Sequence, residues 1–167
     1  VCDWSSDVCS SDLVVHPDVH LALSPGGTDA DVVREFDVTT GRFVDGGFTL
    51  PEAKSNVAWF DEDTLFVGTD EGEGSLTDSG YPRLVKLWDR GTDFSTARQI
   101  AEGEQADISA SGFSVLDGDT RWRFVNRSPS FWTNQVSLVK EDGSTVPLPL
   151  PEDAECEAAL NGLVIAK

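Results

Sequence analysis

The chain has 167 residues and a formal net charge of −18, from 30 acidic and 12 basic residues. Hydrophobic residues make up 39%, with 9 Phe and 5 Trp among them, enough for one domain with a core and too many for a disordered chain. The acidic balance argues against nucleic acid as a partner, since phosphate binding needs a basic surface, and no apolar run approaches the roughly 20 residues of a membrane helix.

Residues 1–13, VCDWSSDVCSSDL, stand apart. They hold Cys2 and Cys9 and nearly repeat themselves, Ser5-Ser6-Asp7-Val8 against Ser10-Ser11-Asp12-Leu13. Zinc needs a third and fourth ligand, which are missing nearby, and a Cys2–Cys9 disulfide would close a polar loop around no core. The chain opens on Val, contains no Met, and shows no basic-then-apolar leader. The segment reads as the translation of a sequencing-adapter read, not as native protein. The compartment of a soluble product is left between cytoplasm and periplasm.

HPDVH follows, and His16 and His20 at i,i+4 would share one face of a helix as a two-histidine metal site. Pro17 and the succeeding Leu21-Ala22-Leu23 instead favour a strand, where that spacing builds no cluster. No metal or cofactor is expected.

The rest of the chain repeats at roughly 50 residues, the period of a β-propeller blade. VVREFDVTTGRFV (32–44), LVKLWDRGTDF (84–94) and QVSLVKEDGSTVPL (135–148) each read as strand, tight turn and strand, with Gly41, Gly91 and Gly143 in the turns. Phe36, Trp88 and Val139 precede those turns in equivalent positions. NVAWFDEDTLFVG (56–68) resembles SASGFSVLDGDTRWRFV (109–125), pairing Phe60 with Phe113 and Asp63-Thr64 with Asp119-Thr120. Ser24-Pro25 recurs as Ser128-Pro129.

Each unit therefore predicts four short antiparallel strands, whose Val, Phe and Trp pack between neighbouring sheets. A β-sandwich made of the same strands would not account for the period. The expected fold is all-β, a partial β-propeller of about three blades. Their limits fall near 14–50, 51–103 and 104–153, and a further blade begins at 154–167.

Between strands two and three of the second unit lies GTDEGEGSLTDSGYP (68–82), on the side where blades are linked. Its plain reading is a mobile surface loop, and the alternative is a gate or a contact with another domain. GFSVL (112–116) approaches the G-x-S-x-G elbow of a serine hydrolase but lacks the second glycine and falls in a predicted strand. Cys156 stands in an apolar stretch and reads as a buried small residue.

GFTLPEAKS (47–55), VAWFDEDTLFVGTD (57–70), GSLTDSGYPRLVKLW (74–88) and RSPSFWTNQVSLV (127–139) resemble the propeller domain of bacterial prolyl oligopeptidases, a family of serine peptidases. The resemblance runs from about Leu21 to the C-terminus. It implies a seven-bladed propeller joined to an α/β-hydrolase domain, whose Ser, Asp and His cleave short peptides after proline. The propeller would admit only small substrates. On that reading this chain is a piece of the filter and carries no catalytic residue. Its partners are the hydrolase domain of the same parent chain and short peptides. The competing reading is a stand-alone propeller that binds a protein or ligand through its loops.

Overall fold

The computed structural model describes residues 18–23 and 30–167, with 18–23 and Glu157 described by backbone alone. Residues 1–13, His16 and Ser24-Pro25 lie outside the described residues. Three antiparallel sheets and a hairpin follow one another along the chain. β1 (Asp18–Leu23), β2 (Asp31–Asp37), β3 (Arg42–Phe43) and β4 (Thr49–Ala53) make the first sheet. The second runs in order through β5 (Asn56–Trp59), β6 (Thr64–Gly68), β7 (Leu84–Asp89) and β8 (Arg98–Glu102). The third holds β9 (Ser109–Asp117), β10 (Thr120–Ser130), β11 (Thr133–Val139) and β12 (Thr145–Pro147). β13 (Cys156–Leu160) and β14 (Leu163–Ala166) pair as a hairpin. His20 is in β1, opposite Glu35 of β2, so the strand expected there is present.

The turn glycines set the repeat. Gly41, Gly91 and Gly143 have φ of 66°, 73° and 80°, a region open mainly to glycine. In the first turn the Asp37 carboxylate accepts from the backbone N–H and hydroxyl groups of Thr39 and Thr40. Those bonds, the Thr39 hydroxyl foremost, pull its pKa down to about 2. Asp142 accepts from Ser144 in the same way at the third turn.

The first sheet departs from a plain four-strand order. β3 and β4 both pair with β2, as two halves of one outer strand interrupted at Val44–Phe48. Opposite the interruption only Glu35 remains, and its backbone still bonds to both sides, donating to Phe48 O and accepting from Val44 N. The excursion displaces the second half of the strand toward the C-terminus. β4 therefore continues to Ala53, past the boundary expected at residue 50.

Side chains on alternate residues of a strand face opposite ways, and here both faces of the second sheet are covered. From β6, Leu65 and Val67 join Val33, Phe48, Leu50, Trp59 and Trp88 between the first and second sheets. Phe66, one position off, joins Val85, Leu87, Ala110, Val125 and Val139 between the second and third. The Phe48 ring meets Trp59 and Trp88 edge-on at 6.0 and 5.0 Å. Trp88 and Val139 are thus inter-sheet core, as their place in the repeat predicts, whereas Phe36 is half-buried and packs on Phe43 of its own sheet.

The equivalence of Phe60 with Phe113 does not hold residue for residue. Phe60 follows the end of β5, while Phe113 is in mid-strand, because β9 and β10 have 9 and 11 residues against 4 and 5 in β5 and β6. Consecutive sheets stacked face to face through such clusters are β-propeller blades. Among the described residues no helix is long and apolar enough to cross a membrane.

Among the described glycines the tightest approach is at Gly112, where an added Cβ would stand 2.3 Å from the Phe66 ring. Phe66 is 1% exposed in the core between the second and third sheets and meets the Phe60 ring edge-on at 5.2 Å. Gly112→Ala is expected to lower stability by about 1–3 kcal/mol through overpacking, read as a reduced urea midpoint at unchanged slope. An unchanged midpoint would contradict this packing.

Candidate functional site: the linked end of the sheets

The segments that join one sheet to the next gather at one end of the structure. The connection from β6 to β7 (69–83) crosses this end and is held to the link between β8 and β9 (103–108). Arg83 anchors it: Nε and Nη2 donate to Gly74 O at 3.0 and 2.9 Å, and Nη1 donates to Gly103 O at 2.9 Å. Gln105 Nε2 donates to Leu76 O and to Asp78 Oδ1, both at 3.1 Å, while Asp78 N donates to Gln105 O at 2.8 Å.

Two buried hydroxyls complete the brace. Ser75 Oγ accepts from Glu71 N and donates to Gly72 O, and Thr77 Oγ1 donates to Ile108 O. The acidic tip is partly neutralised, since Lys86 forms an ion pair with Glu71. Tyr81 carries the Lys54 ammonium 4.5 Å above its ring. The segment expected to be a mobile loop is cross-braced: Thr77, Asp78 and Arg83 bond to the link beside it, while Ser75 and Gly74 are tied within the segment itself.

The same link is fastened to the third sheet. Ile108 N donates to Ser128 O at 2.8 Å, and the buried Asp107 carboxylate accepts from both Nε and Nη2 of Arg127. Asp107 also accepts from Glu104 N. The Arg127 bond holds the Asp107 carboxyl below the usual carboxylate range, against the opposing effect of burial. None of Arg83, Gln105, Asp107 and Arg127 stands out in the sequence. Each acts on a partner 9 to 29 positions away, and no local pattern records such a pairing.

The residues weighed for chemistry do not converge here. Ser114, the serine of GFSVL, lies in β9 as expected and accepts from Arg121 Nη1 at 2.9 Å. Cys156 is half-buried rather than fully enclosed. It lines a hollow of about 320 Å³ with Ser111, Phe113 and Asn126, and burial pushes its thiol pKa up, away from the reactive thiolate. Among the described residues no three His, Cys, Asp or Glu side chains are grouped to hold a metal ion.

The stacked four-stranded sheets and their linked end define a β-propeller domain. The sequence family described as the N-terminal β-propeller domain of prolyl oligopeptidase matches residues 16–159, and the chain belongs to that family. It is 39% identical over 154 residues to "Uncharacterized peptidase y4nA" of Sinorhizobium fredii (strain NBRC 101917 / NGR234), covering 87% of this chain and 21% of that protein. It is 30% identical over 115 residues to "Uncharacterized peptidase RP174" of Rickettsia prowazekii (strain Madrid E), covering 64% and 16%. The chain thus spans about a fifth of the length of the curated relatives it matches.

Among solved structures, a post-proline cleaving enzyme from Rickettsia typhi superposes with a TM-score of 0.81 at 21% identity, over 90% of this chain and 24% of that one. A structure from a study of two prolyl endopeptidases gives 0.62 at 18% identity, over 84% and 21%. Both share the fold.

The Asp107–Arg127 pair sets a pH dependence. A carboxyl whose folded pKa lies below its unfolded value adds stability above the unfolded value, about 3.9, and loses it as pH falls through the folded one. Asp107→Asn is therefore expected to lower stability by about 1–3 kcal/mol at pH 7. The gap between variant and parent should narrow below about pH 4. Thermal melts across that range test it, and a gap independent of pH would contradict the assignment.

Proposed function

We propose that the protein of which this chain forms part is a serine peptidase that cleaves short peptides after proline. The propeller sheets described here would contribute to the barrier that keeps longer chains from its active site. The observation that carries the reading is membership of the propeller family along residues 16–159, with curated relatives named as peptidases. The sequence holds no G-x-S-x-G elbow, so the nucleophile is assigned to an α/β-hydrolase domain outside these residues, with which the propeller would pair.

The braced 68–82 segment supports a role as a fixed rim at the linked end rather than a hinged gate, because Arg83 and Gln105 tie it to the neighbouring link. Size selection by a rigid aperture needs such a rim. It follows from sterics, with no specific contact to the substrate.

The test uses the parent protein and this chain side by side. The parent is expected to cleave a short proline-containing peptide on the carboxyl side of proline, to lose that activity to a serine-directed covalent inhibitor, and to spare the same bond in a long folded protein. The 167-residue chain alone is expected to release no product. Peptide binding by the parent without cleavage would overturn the proposal in favour of a propeller that serves only as a binding module.

A further inference from the structure

The hairpin of β13 and β14 turns at Asn161-Gly162. Leu160 pairs with Leu163, so the turn has two residues, and both lie in the left-handed region, with φ of 53° and 76°. Asn-Gly is the preferred pair for such a turn. Among the described residues Asn161 is the one residue other than glycine with a positive φ, and both turn residues are exposed. Their backbone N–H groups donate to a single carboxylate on the third sheet, Asn161 N to Asp117 Oδ1 at 2.9 Å and Gly162 N to Asp117 Oδ2 at 2.7 Å. These bonds, that of Gly162 foremost, hold the Asp117 carboxyl below the usual carboxylate range. Neither apolar cluster takes in a side chain of the hairpin, and Leu160, Leu163 and Ile165 are exposed. The carboxylate thus ties the hairpin tip to β9 in a way those clusters do not duplicate.

Asn-Gly is also a reactive pair. Asn56, Asn126 and Asn134 precede Val, Arg and Gln, whose side chains hinder attack by their own backbone nitrogen, whereas Gly162 offers no such obstacle. The Gly162 nitrogen, on losing its proton, can attack the side-chain carbonyl carbon of Asn161. A C–N bond forms to close a five-membered imide, and the side-chain nitrogen leaves as ammonia after taking a proton from water. Water then opens the ring at either carbonyl. One opening gives aspartate at 161, and the other gives an isoaspartyl link whose main chain runs through the side-chain carbon. The net change is amide and water to carboxylate and ammonium.

We propose that Asn161 is a deamidation site held in check by Asp117, so that release of the hairpin tip from β9 becomes irreversible once the residue has reacted. Asp117 opposes the first step twice. Its Oδ2 accepts the proton that must leave, and its charge, at hydrogen-bond distance, disfavours an anion on the Gly162 nitrogen. After the reaction the grip is not restored. The isoaspartyl link adds one carbon between two N–H groups that one carboxylate must reach together, and either product sets a second negative charge on the gripped turn. The reaction consumes only water, so it is independent of any peptidase activity.

Peptide mapping by mass spectrometry, on parent protein aged in mildly alkaline buffer, follows the conversion, because exchange of the amide for a carboxylate raises the mass of the peptide that holds residue 161. The parent is expected to convert more slowly than an unstructured synthetic peptide of the same local sequence. Asp117→Ala is expected to convert about fivefold faster than the parent, the effect of removing one unit charge at that distance in water. Asp117→Asn, which keeps an oxygen acceptor and loses the charge, should fall between the two. Equal rates in the parent and Asp117→Ala would overturn the proposal, as would a parent that converts as fast as the peptide. Hydrogen exchange over residues 156–166 reads the consequence. The aged parent and Asn161→Asp are both expected to lose protection there while the second sheet keeps its own. Full protection of the hairpin in the converted protein would overturn the irreversible release.

Discussion

The carboxylate of Glu35 is fully enclosed, and an enclosed charge without a partner would cost several kcal/mol. Arg90 answers it from the second sheet, Nη1 donating to Oε2 at 2.9 Å and Nη2 to Oε1 at 2.8 Å. Phe48 N donates to the same carboxylate at 2.9 Å. The guanidinium also reaches Asp63 and Glu62 O, and lies 4.8 Å above the Phe48 ring. The Glu35 bond, more than any other influence, holds the Arg90 pKa above its usual value. This cluster joins the first sheet to both turns at one end of the second. The interruption of the outer strand at Val44–Phe48 exists around it, and a Cβ on Gly47 would stand 2.6 Å from the Glu35 carboxylate.

The charged cluster orients the sheets, and apolar burial holds them. A four-stranded sheet exposes two faces and is too small to leave either one wet. The odd and even residues of β6 accordingly enter different cores, Leu65 and Val67 on one side and Phe66 on the other. The polar side chains that remain are concentrated at the linked end. There Arg83, Asp107 and Arg127 satisfy backbone and charge in segments that have no ladder of their own. One end is thus irregular in backbone and cross-linked by side chains.

The sequence discloses what is periodic. Turn glycines and alternating Val, Phe and Trp mark the sheets because both signals are local, and Trp88 and Val139 are buried where the repeat puts them. The Glu35–Arg90 pair spans 55 positions and has no such signal. Neither has the excursion at Val44–Phe48, where Phe48 N closes on the carboxylate of that same distant pair. The 68–82 segment reads as mobile because its Gly, Ser and Asp content is that of an unsupported loop, and only the structure shows Gln105 and Arg83 holding it. As for function, the residues alone indicate a propeller. The peptidase reading comes from likeness to a family, since GFSVL (112–116) is the nearest approach to a hydrolase elbow in the sequence.

A double-mutant cycle on Glu35 and Arg90, followed by urea unfolding at neutral pH, tests most directly whether this pair governs the docking of the sheets. Arg90→Met removes the guanidinium from an enclosed carboxylate and is expected to cost about 3–5 kcal/mol. Glu35→Gln is expected to cost less, since Arg90 keeps Asp63 and some access to water. The double variant is expected to be more stable than Arg90→Met alone, because the enclosed carboxylate that has lost its guanidinium is then uncharged. Losses that simply add would contradict it and would leave the apolar clusters as the only agents that hold the first sheet against the second.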